Sequence, residues 1–70
     1  MSRGIEIWVV YDSPLDLPGV FVARKWVNDV PTEETLEAST LEGIRGKLPA
    51  GLYRIPRFLG DELQVVESWV

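Results

Sequence analysis

Seventy residues with no cysteine, no histidine, three tryptophans and a net charge of −4 make one small domain and close off several chemistries at once. A domain of this size buries only about 60% of the surface its unfolded chain exposes, and disulfides or a cysteine- or histidine-built zinc site are not open to it as reinforcement. The acidic balance disfavours tight non-specific binding to a phosphate backbone, and no apolar run approaches the roughly 20 residues of a membrane helix.

The chain opens "MSRGIEIWVV", where Glu6 breaks the apolar run before it reaches signal-peptide length. With the lack of cysteine, this points to a soluble protein of a reducing cytoplasm. Ile5 to Tyr11, "IEIWVVY", is β-branched and aromatic with no helix period, and reads as a strand. The next stretch, "YDSPLDLPG" from Tyr11 to Gly19, reads as a stiff connection in which Asp12 starts a turn. Val20 to Val27, "VFVARKWV", is the second strand. "NDVPTEET" loses hydrophobic periodicity and is expected to be a loop, with a brief extension at Thr35 to Ser39.

"STLEGIRGKL" reads as a short helix. Ser39 and Glu42 have capping-box spacing, Leu41, Ile44 and Leu48 form one apolar stripe, and Arg45 and Lys47 suit the C-terminal end of the helix dipole. Gly43 and Gly46 weaken it by about 1 kcal/mol each relative to alanine. "PAG" at Pro49 to Gly51 stops it. "LYRIPRF" is a third strand, placed at an edge by Pro56. A turn at Gly60 and Asp61 then leads into the last strand, "LQVVESWV". The resulting order, β-β-α-β-β, implies an α+β two-layer sandwich: a four-stranded, mostly antiparallel sheet with one short helix on one face, in a single domain spanning residues 1–70.

Charge is unevenly spread. Between Asn28 and Ile44 lie Asp29, Glu33, Glu34, Glu37 and Glu42 without a single base, whereas Arg24, Lys25, Arg54 and Arg57 sit in the apolar runs. Catalysis has little to work with, since no histidine or cysteine supplies a nucleophile or a general base near neutrality. The acid pair of the opening loop, Asp12 and Asp16, would need a pocket to separate two carboxyl pKa values, and calcium asks for more oxygen ligands than this spacing provides. No enzyme activity, metal or cofactor is expected.

Strand alternation sorts the side chains into two sets. Ile5, Ile7, Val9, Phe21 and Ile55 match the helix stripe and are the expected core. The other set carries Trp8, Val10, Val22, Arg24, Trp26, Arg54, Val65 and Trp69, and is expected to stand on the open sheet face. Tryptophan and arginine dominate interface hot spots, and an uncovered patch of this size is more than monomers usually expose. The reading is a non-enzymatic protein-interaction module, a homodimer or a subunit bound to a larger protein partner. Two alternatives stay open. One is an outer sheet face whose tryptophans are shielded by arginine stems. The other is a surface for single-stranded nucleic acid or a small aromatic ligand, which the acidic charge disfavours.

The pattern "WVVYD-x-P-x-D-x-PG", followed by "FVARKW", "TLEGIRGKLPAGLYRIPR" and "VVESW", resembles a group of small bacterial proteins, phage-associated ones among them, that carry no assigned activity. The resemblance covers nearly the whole chain. It implies a complete protein in a bacterial cytoplasm and transfers no site residue.

Overall fold

The structure, a computed structural model, describes residues 4–13, 18–57 and 64–70. Its elements run β1 (Glu6–Asp12), β2 (Phe21–Val27), β3 (Val30–Ala38), α1 (Leu41–Lys47), β4 (Arg54–Pro56) and β5 (Val65–Trp69). The strands form one antiparallel sheet in the order β3-β2-β1-β5-β4, and α1 lies on one of its faces. The class is α+β with one short helix, as expected, but the sheet has five strands and the order is β-β-β-α-β-β. No helix among the described residues is long and apolar enough to cross a membrane.

The extra strand takes up most of the segment expected to be a loop. Asn28 and Asp29 adopt φ of 51° and 66°, the consecutive left-handed pair of a two-residue hairpin turn, and Val27 pairs with Val30 directly across them. Asn28 is fixed twice. Its Oδ1 accepts from the Ile5 amide and its own amide donates to the Ile5 carbonyl, both at 3.0 Å. Pro31, Glu33 and Glu34 are poor strand formers, yet β3 is an edge strand, where a missing donor and outward charge are tolerated. The β2–β3 register shifts between Arg24 and Trp26. Thr32 secures this bulge, its Oγ1 donating to the Lys25 carbonyl at 2.7 Å and accepting from the Glu34 amide at 3.2 Å.

The helix is capped one residue later than expected. Thr40, in extended conformation, accepts at Oγ1 from the Gly43 amide at 2.9 Å. The third helical position is therefore Gly43, not Glu42, so the glutamate cannot complete a capping box with the cap it would need. Lys47 Nζ donates to the Glu37 carbonyl at 2.5 Å and ties the far end of α1 to β3. Gly51, at φ 87°, turns the chain back towards the sheet, a conformation costly for a residue with a Cβ.

The stripe Leu41, Ile44 and Leu48 faces the sheet, but it rests on the set expected to be open. Trp8, Val10, Ala23 and Ile44 form the buried centre, with Phe21, Leu36, Ala38, Leu52, Val66 and Trp69 packed around them. Of the expected core only Phe21 is among these, and the β1–β2 register explains why. Val10 opposes Ala23 and Trp8 opposes Lys25, whereas Ile7 opposes Trp26 and Val9 opposes Arg24. Because side chains alternate, this pairing sends Ile7 and Val9 to the other face. Ala23, fully buried, is the small residue that lets Ile44 sit close on the sheet.

Candidate functional site

The register divides the eight residues read as one surface into two groups. Trp8, Val10, Arg54 and Trp69 belong to the helix side, and Val22, Arg24, Trp26 and Val65 to the other. The single tryptophan-bearing face is thus corrected: Trp8 is 4% exposed and Val10 fully buried under α1. Val65 parts from Glu67 and Trp69 because the β1–β5 register shifts between Val10 and Tyr11, so that Val65 opposes Tyr11 while Glu67 opposes Val10. A bulge changes which face the following residues occupy.

On the helix side the notable group is Glu67, which is fully buried. Both oxygens are saturated. Oε1 accepts from Arg45 Nη2 and Arg54 Nε, each at 2.6 Å; Oε2 accepts from Arg45 Nε at 2.9 Å and Trp69 Nε1 at 2.8 Å. Three elements meet at this carboxylate: α1 through Arg45, β4 through Arg54 and β5 through Glu67 and Trp69. The Arg45 hydrogen bonds, reinforced by those of Arg54 and Trp69, outweigh burial and lower the Glu67 pKa to about 2. The same bonds to Glu67 raise the pKa of Arg45. The cluster reads first as a structural tie that orients a short helix, since burying a charge is tolerable only when it is paired and hydrogen-bonded. Farther along this face the half-buried Lys25 spans the exposed Glu6 at 3.1 Å and Glu34 at 3.8 Å, a ladder of small energetic value.

The opposite face is open at one end only, since Val22 and Val65 on it are buried, at 5% and 7% exposure. Ile7, Val9 and Tyr11 of β1 stand there with Val22, Arg24 and Trp26 of β2. Ser68 and Ile55 oppose each other on the same side, and Tyr53 extends it by exchanging both backbone hydrogen bonds with Val70, at 2.7 and 3.0 Å. Ile5 is 70% exposed and Tyr53 78%, and both lie at the end of the sheet where β1 begins and β5 finishes. Among the described residues no element packs across this end. From β1, β2 and β5 the face receives one charge, Arg24, whose Nη1 donates to the Thr32 carbonyl at 2.6 Å. Trp26 Nε1 is buried there and makes no hydrogen bond.

Asp12, expected to start the turn, ends β1 and accepts at Oδ1 from Ser13 Oγ at 3.0 Å, while that hydroxyl accepts from the Gly19 amide at 3.2 Å. Asp16 and the expected turn at Gly60 and Asp61 lie outside the described residues.

Sequence reasoning passed over Ile5, Tyr53 and Ile55 as surface residues and Glu67 as the partner of Arg45. The second pairing had a signal: a lone acid inside an apolar strand needs a base, and the helix read from the sequence offers Arg45 and Lys47. No protein-family model, curated protein or solved structure matches the chain, so the site is read from its own geometry.

Proposed function

We propose that the protein is a small, non-enzymatic interaction module that self-associates through the open face of its sheet. The observation that carries this reading is the pair Ile5 and Tyr53, at 70% and 78% exposure, beside half-buried Ile7, Val9, Trp26 and Ile55 on a face bearing one central charge. Burial of such a surface is favourable by about 25 cal/mol per Å² of apolar area. A second copy is the occupant these features fit. Each chain carries −4, so most surfaces repel their counterparts, but here the central Arg24 and Glu37, which opposes Val22 on the β3 side of the face, are of opposite sign. An isologous contact also buries the patch on both partners at once. Pairing through the long edge strand is disfavoured, because β3 carries Glu33, Glu34 and Glu37, Pro31 and a bulge, the features that blunt an edge.

A cysteine-free chain of this length gains from association what its small core does not supply. Single-stranded nucleic acid on the same face is the weaker reading, since Arg24 is already engaged with the Thr32 carbonyl. Tyr53→Glu tests the proposal. An exposed side chain of the monomer can change with little effect on folding, within about 0.5 kcal/mol, so a dimer reduced to monomer by this variant with unchanged unfolding locates the contact. A dimer that survives it and the companion Ile5→Glu would place self-association elsewhere.

A further inference from the structure

We propose that Arg45 and Arg54 form a binding site for a phosphate-type oxyanion on the solvent side of Glu67. Both guanidiniums donate to the same oxygen, Glu67 Oε1, at 2.6 Å, so their donor nitrogens lie within the span of two hydrogen bonds of each other. One buried carboxylate neutralises one of the two cations and leaves a net positive charge at this point. Among the described residues, Arg45 Nη1 and both terminal nitrogens of Arg54 make no hydrogen bond. The two side chains are 39% and 47% exposed, so a ligand reaches these donors from solvent.

The chemistry selects the ligand class. Planar guanidinium forks match the oxygens of phosphate and form charge-assisted hydrogen bonds roughly twice as strong as neutral ones. Glu67 holds both forks in place before binding, so little side-chain freedom is lost when the anion arrives. Glu42, on the preceding turn of α1, interacts with Arg45 and reduces the positive potential. That weakens the hold on inorganic phosphate. The site lies on the helix side of the sheet, opposite the face proposed for self-association, and stands independently of it.

Trp69 supplies the probe, because its Nε1 donates to Glu67 Oε2 at 2.8 Å. In NMR titrations with inorganic phosphate at constant ionic strength, the Trp69 indole N–H signal shifts saturably, while those of Trp8 and Trp26 hold. Arg54→Gln weakens this binding about tenfold, the loss of a charged fork. Should that variant unfold, Arg54→Lys keeps a cation beside Glu67 but not the fork, and weakens binding by a smaller factor. Lys25→Gln, which removes the same net charge from another part of the sheet, leaves the titration unchanged. A response that does not saturate, that sodium chloride reproduces, or that both Arg54 variants retain overturns the proposal.

Discussion

Glu67→Gln is the substitution that most sharply tests how the helix is held. Glutamine keeps the shape and removes the charge, and its amide nitrogen then faces donors where the carboxylate accepted from Arg45, Arg54 and Trp69. Breaking a fully buried ion pair by removing one partner costs about 3–5 kcal/mol. Here the arginine side chains are 39% and 47% exposed and can turn to water, which brings the figure down to about 2–3 kcal/mol. The titration of Glu67 gives a similar size. A carboxyl lowered from 4.5 to about 2 stabilises the fold by about 3 kcal/mol before solvent screening and about 2 after it. A domain of this length has about 4–10 kcal/mol in all, so the variant loses a large share and melts about 10–20 °C lower.

The pH dependence gives the assay its specificity. A depressed carboxyl contributes fully above its ordinary value of 4.5, and the contribution is lost as pH falls towards about 2. In urea titrations followed by tryptophan fluorescence, the gap between wild type and Glu67→Gln is therefore full at neutral pH and closes through that acid window. A gap below about 0.5 kcal/mol at neutral pH, or one that persists unchanged in acid, refutes the reasoning.

Three further outcomes follow from the local geometry. Thr40→Ala removes the acceptor of the Gly43 amide and costs about 1 kcal/mol in chemical denaturation, whereas Ser39→Ala is nearly neutral; equal costs would restore the earlier cap position. Asp29→Gly relieves a residue at φ 66° and raises stability by about 0.5–1 kcal/mol, while Asn28→Gly lowers it through loss of the Oδ1 bond to the Ile5 amide; the two variants shift the urea midpoint in opposite directions. Ile44→Ala empties the contact between α1 and Ala23 and costs about 2–4 kcal/mol by the same measurement.

Much of the fold was legible locally. The runs around Trp8, Trp26 and Trp69, the Leu41–Ile44–Leu48 stripe and the edge position of Pro56 all follow from composition and period. β3 was legible only in part, because Pro31, Glu33 and Glu34 obscure a strand that an edge tolerates. The adjacent Asn28 and Asp29, able to adopt left-handed backbone in a two-residue turn, were the signal that would have found it. Which face met the helix was not legible, because it depends on parity across the Tyr11–Gly19 connection. A one-residue change of register exchanges Ile7 and Val9 for Trp8 and Val10. Within the candidate surface, Val22, Arg24, Trp26 and Val65 kept one another's company, and Trp8, Val10, Arg54 and Trp69 went to the helix. Only the register and the bulge beside Val66 separate the two groups. Ala23 was the overlooked clue, since a helix needs a small residue beneath it.

The central claim is that the open sheet face joins two copies of the chain, and solution mass tests it most directly. Sedimentation equilibrium across the micromolar range should show the mass rising from that of a 7.9 kDa chain to twice that value, with Tyr53→Glu held at the lower mass. A wild-type chain that stays at 7.9 kDa throughout, correctly folded, would contradict the account.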